Sequence, residues 1–190
     1  MPLQVKNIIL GLWLALAAIW LIGAFTTKPS VRRESTRSRL RVTALGALAV
    51  VIGFTKYFEF GWLARPFVPA TRTVAYAGLA LVFAGISFAV WARFYLGGNW
   101  SGVVTVKKDH NLVRQGPYAI VRHPIYSGLL LAILGSVVVY RELRGVIAVV
   151  LFLVMLRLKS LTEERFMTEK FGLEYRQYQQ QVKALIPFIW

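Results

Sequence analysis

Arg114 to Gly128 reads RQGPYAIVRHPIYSG, and how this stretch is read decides the fold. Its fifteen positions hold two arginines, one histidine, two tyrosines, two prolines and two glycines. Strongly apolar sequence flanks it on both sides. Polar groups beside segments of hydrocarbon length are costly unless they meet one another, a ligand or a lipid head group. The stretch therefore reads as the polar lip of a membrane domain, with Pro124 at the first turn of the helix that follows.

Composition sets the same frame. The chain has 190 residues, 57% of them hydrophobic, and a mean hydropathy of +0.57, which places it among membrane proteins with one domain. A net charge of +15 is compatible with nucleic-acid binding, but its distribution argues against that partner. Arg32, Arg33, Arg37, Arg39 and Arg41 cluster between two apolar segments, where positive charge holds a loop on the cytoplasmic side and attracts anionic membrane lipids. With no cysteine there is no disulfide, thiolate nucleophile or Cys-based metal site, and two histidines alone argue against structural zinc, so no metal is expected.

Outward from the lip, the hydrophobic pattern predicts an all-α integral membrane protein with about five transmembrane helices. Ile8 to Phe25 forms the first span, an uncleaved anchor because only Lys6 precedes it as a basic side chain and the heavy charge follows. The basic loop Thr26 to Arg41 leads to a second span from Val42 to about Phe60, rich in glycine and alanine. Lys56 and Glu59 near its end are expected to pair on one helical face. A short outer loop precedes the third span, Thr73 to Ala92, and Trp91, Phe94, Tyr95 and Trp100 are expected in an interfacial aromatic belt. The fourth span runs from Pro124 to about Tyr140. After the short turn Arg141 to Gly145, the fifth opens at Val146 and continues as helix past Leu156 towards Gly172, making a tight hairpin with the fourth. The C-terminal FGLEYRQYQQQVKALIPFIW is expected to fold back on the protein or the membrane surface. The N-terminus then lies outside and the C-terminus in the cytoplasm, in the inner membrane of a prokaryote or the endoplasmic reticulum of a eukaryote.

This topology gathers His110, Arg114, Tyr118, Arg122, His123, Tyr126, Arg157, Lys159, Glu163, Glu164, Tyr175 and Tyr178 on one cytoplasmic rim. Interfacial anchoring explains any one of them. Both histidines of the chain nevertheless fall in the single loop before the fourth span, which favours a site.

At these positions the chain resembles the isoprenylcysteine carboxyl methyltransferase family, within the wider group of membrane methyltransferases that includes phospholipid methyltransferases. The matching text is HNLV at His110 to Val113, GPY at Gly116 to Tyr118, RHPIYSG at Arg122 to Gly128, the Glu163-Glu164 pair, and FGLEYRQY followed by Pro187. The resemblance covers the chain from about Trp91 onward. It implies S-adenosylmethionine as cofactor and methyl transfer to a lipophilic acceptor, prenylcysteine-like or lipid, at the membrane. Carried over position by position, it implies cofactor contacts at His110, Asn111, Leu112, Val113, Tyr118, His123, Pro124, Ile125, Tyr126 and Glu163, with Lys159, Glu163 and His123 as the catalytic set. Lys159 stands where eukaryotic members carry a substrate-contacting arginine; it keeps the charge without the bidentate fork, and Arg157 is the neighbouring candidate for substrate contact. Residues 1–190 are then one domain, with 1–90 mainly the first three helices and 91–190 the cofactor-binding catalytic half.

A sulfonium methyl is already electrophilic, so transfer to a carboxylate needs positioning and exclusion of water rather than a metal or a base. An amine acceptor, as in phospholipid methylation, would need a proton removed, for which His123 is the candidate. Phospholipid and small-thiol methylation therefore remain open beside prenylcysteine methylation. A sterol-reductase-like oxidoreductase and a non-catalytic scaffold are the readings from other classes.

Overall fold

The structure, a computed structural model, describes residues 3–25, 27–100, 105–107 and 111–189. Six α-helices carry it: α1 (Leu3–Ala24), α2 (Thr36–Phe54), α3 (Arg72–Leu96), α4 (Pro124–Tyr140), α5 (Leu143–Phe171) and α6 (Leu173–Gln181). Among the described residues, α1, α3 and α5 are long and apolar enough to cross a membrane, while α4 is a shorter apolar helix of 17 residues. The predicted helical membrane architecture is present at this level. The expected all-α class holds with one small addition, a two-stranded antiparallel ribbon in which β1 (Ser30–Arg33) pairs Arg33 with Thr105 of β2 (Thr105–Lys107). It joins two loops that the sequence pattern treats as separate.

The second helix lies earlier than its hydrophobic run predicts. Ser35 caps it by accepting a hydrogen bond from the Ser38 amide at 3.2 Å, so α2 begins inside the basic loop and carries Arg37, Arg39 and Arg41 in its first turns. It ends at Phe54, not Phe60: Thr55 is extended, and 3₁₀ turns follow at Lys56–Phe58 and Gly61–Ala64. Lys56 and Glu59 thus do not share a helical face. Glu59 instead faces Arg144 at 3.7 Å, and the buried Arg144 guanidinium also donates to Glu142 and to the Thr55 carbonyl, tying the end of α2 to the start of α5.

Only Arg141 and Glu142 separate α4 from α5, and Arg141 takes a left-handed conformation at φ 68°. The expected hairpin is therefore present in the chain path, yet its two helices pack mainly on other partners, α4 along α3 and α5 along α2. Glycine explains the first pairing. A Cβ on Gly85 would lie 2.5 Å from the Gly128 carbonyl oxygen, and one on Gly135 would lie 2.6 Å from that of Gly78. Backbones can approach this closely only where both faces lack side chains. α1 joins the same layer through Trp13, whose indole N–H donates to Ser136 Oγ at 3.1 Å.

Helix α5 has 29 residues and is about 43 Å long at 1.5 Å per residue, against about 30 Å of hydrocarbon. Its last turns extend beyond an apolar slab entered at Leu143. Glu163 and Glu164 stand on that extension.

The glycine seam yields a direct test. Gly85→Val should destabilise the fold by about 1–3 kcal/mol through overpacking against α4, read as a lower melting temperature in detergent. Gly11→Ala, where a Cβ meets nothing within 4 Å, should leave the melt unchanged.

Candidate active site

The corner between the polar loop and α4 is fixed from three sides. Pro124 occupies the first helical turn, as its ring favours, and His123 precedes it at φ −122°, ψ 62°. The C-terminal segment folds back onto this corner, giving the protein contact expected of it. The Arg122 and His123 amides donate to the carbonyls of Lys183 (2.8 Å) and Ala184 (3.0 Å), and Ser127 Oγ donates to that of Leu185 at 2.5 Å. Arg122 reaches the Gln179 carbonyl at 3.2 Å and that of Val182, while Tyr178 donates its hydroxyl to the Tyr118 carbonyl at 2.5 Å.

At the centre, the His123 ring lies between the two adjacent glutamates of α5. Nδ1 is 3.3 Å from Glu163 Oε2, and Nε2 is 3.0 Å from Glu164 Oε1. Ionised carboxylates only accept hydrogen bonds, so a carboxylate at each ring nitrogen favours the doubly protonated ring, an imidazolium. Its charge is disfavoured by burial but more than recovered through hydrogen bonds and charge from Glu163 and Glu164, which hold its pKa above the ordinary value. The ring also stacks on Tyr126 at 5.5 Å between centroids, and the Tyr126 hydroxyl donates to Glu163 Oε1. Glu164 is closed in: Arg122 Nη2 meets its Oε1 at 2.7 Å and Gln179 Nε2 donates to its Oε2 at 3.2 Å. Glu163 keeps a quarter of its side chain exposed, against 10% for Glu164.

That exposed carboxylate faces a cavity of about 360 Å³. Of the residues the sequence nominates, Leu112, Val113, Tyr118, His123, Pro124, Ile125, Tyr126, Lys159 and Glu163 border it. Lys159 Nζ sits 5.5 Å from the centre of the Tyr126 ring. Asn111 is exposed and does not border the cavity, and His110 lies outside the described residues. Arg157 does not reach it either. Two positions before Lys159 on a regular helix, it lies on nearly the opposite face, where its guanidinium points to Ser160 Oγ at 3.4 Å.

The remaining walls come from Trp20, Leu96, Asn99, Trp100, Leu129 and Met167, which the sequence does not nominate for a site, and from Tyr175, Tyr178 and Arg122, which it places on the same rim. Trp91, Phe94 and Tyr95 are exposed, in keeping with a belt, whereas Trp100 is a buried cavity wall. Arg93 holds it there. Its guanidinium lies 4.4 Å from the Trp100 ring and donates to the carbonyls of Gly23 (2.6 Å) and Gly97 (3.0 Å), joining the end of α1 to the cavity. Trp20 and Leu129 also border a second, apolar hollow of about 260 Å³ with Trp13, Leu16 and Ala17. Burial pushes the phenols of Tyr118, Tyr175 and Tyr178 far up, so they serve the cavity as neutral groups.

Two consequences follow from the imidazolium. A role for His123 in taking a proton from an amine acceptor fits this arrangement poorly, because each ring nitrogen already faces a glutamate carboxylate. The second is a pH dependence. A histidine whose folded pKa is raised contributes its full stabilisation below its unfolded value of about 6.5 and loses it as pH rises through the folded value. Melting temperature in detergent should therefore fall over that interval on the alkaline side of about pH 6.5. His123→Gln should lower the melt at about pH 6 and flatten this slope.

Comparison with known proteins places the chain in a family. Residues 73–174 match the model of the phospholipid methyltransferase family. A "Probable protein-S-isoprenylcysteine O-methyltransferase" of Oryza sativa is 29% identical over 161 residues, covering 83% of this chain and 84% of that protein. The protein-S-isoprenylcysteine O-methyltransferase of Rattus norvegicus is 31% identical over 145 residues, covering 73% of this chain and 51% of that one. Among solved structures, the eukaryotic intramembrane Ras methyltransferase ICMT (isoprenylcysteine carboxyl methyltransferase) superposes with a TM-score of 0.56 at 25% identity over 84% of this chain. This chain spans 55% of that larger one. The chain is thus similar to protein-S-isoprenylcysteine O-methyltransferases, and it belongs to the phospholipid methyltransferase family as an integral membrane methyltransferase.

Proposed function

We propose that the chain transfers the methyl group of S-adenosylmethionine to the carboxylate of a lipophilic, prenylcysteine-like acceptor at the cytoplasmic face of the membrane. One observation carries this reading: among the described residues the cavity presents one partly exposed carboxylate, Glu163, beside Lys159 and opposite apolar and aromatic walls. The residues present fit the donor. A cavity of about 360 Å³ falls in the usual range for small-molecule sites. Glu163 suits its ammonium, and Leu112, Val113 and the tyrosine rings suit a flat, weakly polar base. When bound, the donor supplies an electrophilic methyl on a positively charged sulfur.

The chain's own contribution is alignment. Tyr126 and His123 fix Glu163 through both carboxylate oxygens, so the group that meets the donor does not reorganise during the reaction. Lys159, four residues before Glu163 and one helical turn away, is placed to hold the acceptor carboxylate. Glu163 and Lys159 would thus hold donor and acceptor side by side, where the donor would supply its methyl to an acceptor oxygen and depart as a neutral thioether. No proton moves, in keeping with the absence of a free base on His123. The same point weighs against an amine head group as acceptor, which must lose a proton. Trp20 and Leu129 lie between the cavity and the apolar hollow beyond, a path suited to an isoprenoid chain arriving from the bilayer.

Arg33, Arg37, Arg39 and Arg41 support a cytoplasmic site and an outer N-terminus by the positive-inside rule. α2 and α4, packed on α5 and α3, then complete five spans, with tilt or local thinning accommodating the 17 residues of α4.

An assay with methyl-labelled S-adenosylmethionine and three acceptors, a farnesylated cysteine analogue, phosphatidylethanolamine and a simple thiol, tests the reading. Label should enter the farnesylated cysteine as a base-labile ester; label confined to either other acceptor contradicts it. Lys159→Ala should raise the acceptor KM about tenfold, whereas Lys159→Arg should retain activity, because either cation meets a carboxylate.

A further inference from the structure

The Glu163-Glu164 pair divides its work between two faces of one ring. Glu163 borders the cavity, whereas Glu164 does not, and yet Glu164 makes the shorter contact with His123. A carboxylate that touches no ligand but is bound to an arginine, a glutamine and a histidine at once has the form of an orienting group. We propose that Glu164 is a positioning residue: backed by Arg122, it holds the His123 ring so that Nδ1–H remains on Glu163 and keeps that carboxylate aimed into the cavity. The inference rests on the reading of Glu163 as the carboxylate that meets the donor's ammonium.

The atom shared by the contacts makes the argument. Glu164 Oε1 accepts from Arg122 Nε at 3.1 Å, from Arg122 Nη2 at 2.7 Å and lies 3.0 Å from His123 Nε2. The arginine is always charged, so an oxygen must occupy this position whatever the state of the ring. His123 Nε2 therefore keeps its proton. If the ring gives one up it does so from Nδ1, and a lone pair then faces Glu163 Oε2 at 3.3 Å. Glu163 would be repelled and turn away, leaving only the Tyr126 hydroxyl on its other oxygen. A full negative charge on Glu164 opposes that loss and a neutral amide does not.

Among the described residues, the charged or titratable groups around the ring come from three helices and the loop before α4. From α5 come Glu163, Glu164 and Lys159, and Arg122 adjoins it in the loop. Tyr126 of α4 stacks on it, and Tyr118, Tyr175 and Tyr178 lie around the same cavity with phenols held neutral by burial. None of these supplies a second anion at Nε2. With Glu164→Gln, the oxygen of the new amide stays on Arg122 and thus on Nε2–H, so the ring titrates nearer the ordinary histidine value of about 6.5 and releases Glu163 at neutral pH.

Calorimetry of the full chain with S-adenosylhomocysteine, from about pH 6 to about pH 9, tests this across the histidine range. The wild-type protein should bind over the neutral range and weaken only on the alkaline side. Glu164→Gln should bind within about threefold of wild type near pH 6, and about tenfold more weakly near pH 8, as expected for loss of one hydrogen bond to a charged group. A Glu164→Gln profile parallel to wild type, or affinity that rises on deprotonation, overturns the inference. Failure of the wild-type protein to bind at any pH instead overturns the reading of the cavity as a donor site. A second measurement needs no variant of Glu164. With ring nitrogens labelled, NMR of His110→Gln reads His123 as the remaining histidine of two. Two protonated nitrogens near neutral pH are expected, and one bare nitrogen there rules the mechanism out.

Discussion

The structure depends on one buried arrangement, a histidine held between two adjacent carboxylates. Two glutamates in sequence on one helix repel each other and resist burial. A doubly protonated His123 bridges them, Arg122 neutralises the inner one, and Tyr126 completes the outer one. Removing the imidazolium would leave like charges facing across a ring of low polarity. The corner RHPIY is accordingly built to hold that ring still, with Pro124 starting the helix and backbone hydrogen bonds from the C-terminal segment fixing Arg122 and His123.

The membrane helices serve that corner. Gly85 and Gly128 let α3 and α4 meet backbone to backbone, which brings the end of α3, with Arg93 and Trp100, beside the start of α4. Arg144 fastens α2 to α5 at the far end. α5 is longer than the hydrocarbon it needs to cross, so its surplus turns carry Glu163 and Glu164 to the lip, with Lys159 one turn below them. Rigid spans thus deliver reactive side chains to an interface where a polar donor and an apolar acceptor can both be present.

Much of this was legible in the sequence, for physical reasons specific to each element. Pro124 and Tyr140 bound α4 as expected, because proline at a helix start and an uninterrupted apolar run are unambiguous. The borders of α2 were misread because hydrophobicity does not register a serine cap at Ser35 or an extended residue at Thr55. Leu112, Val113, Tyr118 and the lip residues from Arg122 to Tyr126, with Lys159 and Glu163, border one cavity, while Asn111, Arg114 and Arg157 do not. Trp20 goes unnominated and Trp100 is assigned to the belt because a tryptophan near an interface carries the same local signal whether it anchors in lipid or walls a pocket. Glu164 and Arg122 were visible as charges, but their closure around His123 is a fact of tertiary structure. The ribbon between β1 and β2 likewise joins distant loops with no local pattern to announce it.

The central claim is that this cavity is where the methyl donor binds, with its ammonium on Glu163. An experimental structure of the protein with S-adenosylhomocysteine tests it most directly. The account predicts the ligand's amino group against Glu163, with its remainder between Tyr118, Trp100 and the Leu112-Val113 segment. Ligand density at any other place, with Glu163 still bound only to His123 and Tyr126, would contradict it.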